Sequence, residues 1–326
     1  MNTKRAFTLV ELLVVIVIIG ILAAIITVAV AGAWQAMQRG VIATQMSQIG
    51  MALDRYRAEF GEYPPDMFDD EALVNHVRRR WPRLNWQALR SATPAATSDA
   101  QAIRIVISEA YGNNTAGNKT NFLMGNPFAP LGALPLWLGG FPNADGKLSG
   151  FNADPENPFF IEATTPITII PPANRQFDGK VFIDLELGNN KNVRMIDFDK
   201  LHIVPVIGTE VRNTFVPIVY FRGRADGGEG AYRRGGNPNG MIKHLNFTDF
   251  GLCVPYMETA TRWHNPTTYQ LIHPGLDGKF GVPASSTMTG PSVNPLRSST
   301  GDGITLEDLD NLTNFSDFKE LRSILP

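Results

Sequence analysis

Glu11 is the only ionisable residue between Phe7 and Ala33. A carboxylate in lipid costs on the order of a few kcal/mol and persists only where a partner compensates it. The chemistry that this placement points to is ion pairing. Catalytic patterns are near misses by comparison. There is no H-E-x-x-H and no G-x-S-x-G. Gly112 to Thr120 resembles a phosphate-binding loop, but Asn118 stands between the second Gly and Lys119 and spoils the spacing. The five histidines, His76, His202, His244, His264 and His273, are dispersed. Arg222 to Gly236 holds four Arg with one Asp and one Glu, and reads as a solvated hairpin tip. Asn143 to Asp154 has Lys147 where a cation-binding loop needs an oxygen. The lone Cys253, between Leu252 and Val254, reads as a small buried apolar side chain. No enzyme is expected.

The element that positions Glu11 is a helix. Leu12 to Ala33 carries no charge, and its 22 residues at about 1.5 Å rise span the roughly 30 Å hydrocarbon core of a bilayer. Lys4 and Arg5 precede it with no acidic residue among them. The positive-inside bias keeps them in the cytoplasm and sends the rest across. Beyond the span, Ile42, Met46, Ile49, Leu53, Tyr56 and Phe60 recur at spacings of four and three, an apolar stripe. Gly61 and Pro64-Pro65 end it. One continuous helix from about Thr8 to Phe60 is predicted, with Gly20 its weak point. A coiled-coil dimer is the other use of such a stripe, but it lasts under three heptads.

Ala6 to Ala24, A-F-T-L-V-E-L-L-V-V-I-V-I-I-G-I-L-A-A, resembles the type III signal of type IV pilins and type II secretion pseudopilins. The resemblance implies that prepilin peptidase cuts between Ala6 and Phe7 and methylates the new amino terminus. Glu11 then becomes fifth in the mature chain and pairs with the terminal amine of a neighbouring subunit, a registration device for assembly. Ala6 stands where the family usually has Gly, and Val28 where many relatives have a helix-breaking Pro. Two other readings stay open. Ala29-Val30-Ala31 is an A-x-A pattern at which secretory cleavage would free a soluble protein, and an uncut anchor would leave a tether. The apolar stretch exceeds the usual length of a secretory signal.

Past Pro65, Asp69 to Trp86 and Asp99 to Tyr111 read as short helices joined by the Ser91 to Ser98 linker, and Gly112 to Pro158 as a long loop region. Strands are predicted at Ile167 to Ile170, Lys180 to Leu187, Leu201 to Ile207 and Val216 to Arg222, forming an antiparallel sheet packed on the helix. The composition, 44% hydrophobic and 18% charged with net charge −2, suits a folded exported domain, and nothing in it suggests nucleic acid.

A second resemblance lies in W-H-N-P, Trp263 to Pro266, followed by Y-Q-L-I-H-P-G-L-D-G-K-F-G from Tyr269 to Gly281. It is similar to the C-terminal block of major pseudopilins, where a turn, a strand and a G-x-D-G-x-x-G loop are closed by a D-I/L-x-N-W stretch around a calcium ion. The closing stretch here is Asp310 to Phe315, with Phe315 where Trp is common. The resemblance implies calcium held by carboxylates from Asp277, Asp302, Asp308 and Asp310, first of all Asp310 and Asp277. Calcium takes six to eight oxygens, which a Gly-rich loop can supply in part from its backbone. An insertion, Val282 to Thr300, separates the two halves of the family's loop.

The expected protein is therefore α+β and pilin-like. It has a leader (1–6), a transmembrane and assembly half-helix (7–33), an amphipathic half-helix (34–61), a helical and loop insertion (66–161) and a β-rich region (162–326). Expected partners are copies of itself and other pilins or pseudopilins, prepilin peptidase, the inner-membrane assembly platform and membrane lipid. The expected location is the bacterial inner membrane, single-pass, with the globular part extracytoplasmic in a periplasmic or surface fibre. The competing class is a membrane-anchored binding or adhesion module that uses the helix only as a tether.

Overall fold

The computed structural model describes residues 9–110, 132–141, 150–151, 154–159, 202–204, 206–211, 214–234, 242–243, 245–247, 250–259, 261–281 and 306–323. The chain forms two compact units, 1–42 and 43–326.

The first unit is the leading part of α1, which runs unbroken over Leu9–Phe60. Leu, Ile, Ala and Val pack its surface on every side, and Gly20 is absorbed without a break. Leu9, Val10, Ile16, Ile19 and Ile25 are each more than half exposed. This stretch is long and apolar enough to cross a membrane, and none of its apolar window is buried within the protein. Thr27 donates its hydroxyl to Ala23 O at 2.8 Å, so its polar group is satisfied inside the helix.

The second unit opens with the amphipathic end of α1. Met46, Ile49, Leu53 and Tyr56 are buried as the stripe predicts, as is Ile42, while Asp54, Arg55, Arg57 and Glu59 are exposed. Gly61, at φ +79°, caps the helix through Gly61 N–H to Arg57 O at 2.8 Å.

The expected helix Asp69 to Trp86 is two. α2 covers Asp70–Arg80, capped by the Asp69 carboxylate, and α3 covers Trp86–Ala92, capped by Asn85. Pro82 explains the division, because the residue before a proline is pushed out of helical geometry. The linker expected at Ser91 therefore begins after Ala92. α4 spans Asp99–Ala110 and α5 Ala133–Gly139.

Among the described residues ten short strands follow: β1 His202–Val204, β2 Val206–Val211, β3 Thr214–Pro217, β4 Val219–Arg222, β5 Leu245–Phe247, β6 Gly251–Cys253, β7 Met257–Thr259, β8 Arg262–Trp263, β9 Tyr269–His273 and β10 Leu312–Thr313. They form small antiparallel sheets ordered β1-β2-β3 and β10-β9-β4, with pairs β5-β6 and β7-β8. The expected strand Leu201 to Ile207 carries β1 and the start of β2, and Val216 to Arg222 carries the end of β3, which closes at Pro217, and all of β4. The strands expected at Ile167 to Ile170 and Lys180 to Leu187 lie outside the described residues.

The architecture is α+β in a pilin-like layout. The β10-β9-β4 sheet packs on the end of α1: Tyr269 donates its hydroxyl to Gly50 O at 3.4 Å and its ring meets Tyr63 edge-on at 4.9 Å. Behind the sheet, Val219, Phe221, Tyr256, Trp263, Ile272 and Phe280 form one core, and Cys253 is buried among them.

Candidate functional site

Two places carry the predicted site residues. At the amino terminus, Glu11 lies in the first turn of α1 on its exposed surface, where the helix dipole favours a negative charge. Ala6 and Phe7 lie outside the described residues.

The second place is the C-terminal loop, in the order the second resemblance implies. A turn at His264 to Thr268 leads into β9, then into the loop from Pro274 to Gly281. β10 pairs with β9 through Leu312 opposite His273, which draws Asp310 onto the loop across the long insertion. Asp310 Oδ2 accepts from Leu276 N–H at 2.8 Å and Asp277 N–H at 3.2 Å. Gly275, at φ +66°, presses against Asp310 so closely that a Cβ would collide with its carboxyl group. Only glycine fits that approach.

Asp277 Oδ1 accepts from Lys279 N–H at 2.8 Å. Desolvation in the loop, with the charges of Asp310 and Glu307, pushes the Asp277 carboxyl up to about 6 against the hydrogen bond from Lys279.

Asp308 is engaged elsewhere. Fully buried, its Oδ1 accepts from Tyr256 Oη at 2.8 Å and from Asn311 Nδ2 at 3.3 Å. Asp302 lies outside the described residues. Among the described residues no group of three His, Cys, Asp or Glu gathers as a metal site. Phe315, in the closing stretch, stacks flat on His264 at 4.1 Å and meets Tyr256 at 5.8 Å.

Sequence reasoning missed a buried charge network that joins the end of α1 to α2 and β4. His76 Nδ1 lies 2.9 Å from Glu62 Oε1, and His76 Nε2 lies 2.7 Å from Tyr56 Oη. A carboxylate only accepts, so Nδ1 carries the imidazole proton and Nε2 takes that of Tyr56. Arg80 Nη1 donates to Tyr56 Oη at 2.6 Å. Arg222 Nη2 and Arg79 Nη1 meet Glu62 Oε2 at 2.7 and 3.2 Å.

Burial depresses His76 to about 4 and keeps it neutral. Burial pushes Glu62 up, but the His76 hydrogen bond and the Arg222 charge outweigh it and hold the carboxyl at about 2. Tyr56 is raised by burial, so the constellation presents no activated phenolate and reads as a structural lock. His273 is fully buried, with a pKa near 3 from burial alone, and accepts Gly275 N–H at Nδ1. The segment expected to be a solvated hairpin tip is so only in part: Arg224 lies exposed beside Asp226 at 3.3 Å, whereas Arg222 belongs to β4 and pairs with Glu62, and Ala231 and Tyr232 are buried. The Gly112 to Thr120 segment and His244 lie outside the described residues. A signal for the network exists in the sequence only as Glu62 and His76 flanking an apolar helix end, and nothing local names their partners.

Residues 1–27 match the prokaryotic N-terminal methylation motif, the signal of type IV pilins and pseudopilins. The chain thus carries the mark of a pilin-like precursor that a prepilin peptidase processes, with an apolar helix fit for membrane anchoring. No curated protein and no solved structure matches the chain.

Proposed function

We propose that this chain is a structural subunit of a type II secretion pseudopilus. It is cut between Ala6 and Phe7, N-methylated, and assembled through α1 with copies of itself and other pseudopilins. The observation that carries the reading is the match of residues 1–27 to the methylation motif. The turn, strand and Gly-rich loop closed by Asp310 favour the secretion branch over a surface pilus. In this reading Glu11 pairs with the terminal amine of the next subunit, which sets the axial register. The subunit waits in the inner membrane with its globular part in the periplasm. The assembly platform then extracts it into the fibre, where it supports protein secretion.

Calcium belongs to the same proposal. Asp277 and Asp310 would be its first ligands. Asp310 would then hold the Gly275 to Gly278 turn and the ion together.

The test is the mature amino terminus, read by mass spectrometry on protein extracted from native membranes. N-methylated Phe7 is the expected start. A chain starting at Gly32 or Met1 would make the protein a secreted or tethered domain and overturn the assembly reading.

A further inference from the structure

We propose that Lys243 and Asp66 become joined by an intramolecular amide bond, a covalent tie inside the folded globular part. Lys243 Nζ lies 2.7 Å from Asp66 Oδ2, with the two side chains only 5% and 3% exposed. Both oxygens of Asp66 are held by backbone donors, Oδ2 by Arg222 N–H at 2.8 Å and Oδ1 by Phe68 N–H at 3.2 Å. The amine is aimed as well. Nζ donates to Arg222 O at 2.7 Å, and the Lys243 backbone N–H is fixed on Tyr232 O at 2.9 Å. Aromatic side chains seal the surroundings. Phe68 stacks on Phe221 at 5.7 Å, and the buried Tyr220 and Tyr232 lie within electrostatic reach of Asp66.

This arrangement suits condensation. The step begins with passage of a proton from Nζ to Oδ2 across their 2.7 Å contact, which frees the Nζ lone pair. The Nζ lone pair then attacks Cγ and the C–N bond forms. The Phe68 N–H sits on Oδ1, where negative charge develops in the tetrahedral intermediate. The Cγ–Oδ2 bond breaks, Oδ2 takes a second proton from the nitrogen, and one water leaves. No oxidant, reductant or cofactor is needed. Exclusion of water from the pocket disfavours the reverse reaction. The product would link positions 177 residues apart, tying the loop after α1 to the segment that leads into β5.

The test is the intact mass of the full protein from native membranes, followed by tryptic mapping. The expected mass is lower by one water, with no cleavage after Lys243 and one branched peptide joining it to the Asp66 peptide. Lys243→Arg keeps the charge pair but lacks the nucleophile, so its expected mass is that of the uncondensed chain. A wild-type protein of full mass with a free Lys243 peptide would overturn the proposal, as would water loss that maps elsewhere. The same spectrum reads the amino terminus separately, so this result and the processing result stand apart.

Discussion

Glu62, two residues beyond the end of α1, holds the Arg222 guanidinium of β4 at 2.7 Å, with side chains 13% and 16% exposed. The contact joins the helix end to the central sheet, and the same carboxylate anchors His76 of α2. Removing Arg222 takes away the partner of Glu62 that is itself shielded from water, and leaves the exposed Arg79 as its remaining guanidinium. Arg222→Ala is expected to lower unfolding free energy by about 3 kcal/mol, read by urea denaturation of the detergent-solubilised protein. A loss below about 1 kcal/mol, the level of a surface pair, would show that water reaches the network.

Acid is expected to loosen the fold in two stages. His76 titrates near 4 in the folded chain against an ordinary 6.5, so the unfolded chain takes up the proton first and stability falls as pH drops from 6.5 toward 4. His273, near 3 in the folded chain, acts in the same direction. Glu62, near 2 against an ordinary 4.5, stabilises above 4.5, and that contribution is lost between 4.5 and 2. Asp277, raised to about 6, works the other way between 6 and 3.8. Melting temperature measured from pH 7 to 4 should decline, and more steeply in Asp277→Asn. A flat profile would contradict the burial of the two histidines.

Gly275→Ala should be costly although alanine is small. The backbone sits at φ +66°, and the added Cβ meets the Asp310 carboxyl group and carbonyl. About 2 kcal/mol of destabilisation is expected from strain at such a position, measured by chemical denaturation. Gly20→Ala, inside α1 where a Cβ meets open space, is the contrasting control: it should not destabilise, since alanine is the better helix former.

Chelation should lower the melting temperature if the C-terminal loop holds calcium, because an ion bound only by the native state stabilises it. EDTA is expected to shift wild type and to leave Asp310→Ala unmoved beyond its own lower baseline. Equal behaviour of wild type with and without chelator would remove calcium from the account.

Glu11→Leu should insert into the membrane at least as well as wild type, since the costly charge is gone, yet fail to enter a fibre. Recovery of the variant in sheared or affinity-purified fibres at wild-type levels would favour a tether over an assembly subunit.

Much of the outline was legible along the chain because its causes are local. The apolar run, the three-and-four spacing of Met46, Ile49, Leu53 and Tyr56, and the Gly61 cap each act within a few residues, and α1 follows them to Phe60. Pro82 was present but underweighted, and it divides a helix that propensity alone would have continued.

What the sequence determined by itself was the membrane helix, its processing signal and the α+β class, all consequences of hydropathy and of contiguous residues. Which distant groups meet was decided only by the tertiary structure. Glu62 finds Arg222, Asp66 finds Lys243, Asp308 turns to Tyr256, and Asp310 crosses a long insertion to hold the Gly275 turn. The reason is physical: a buried charge must be compensated wherever it comes to rest, and its partner is chosen by packing in three dimensions, which spacing along the chain does not encode.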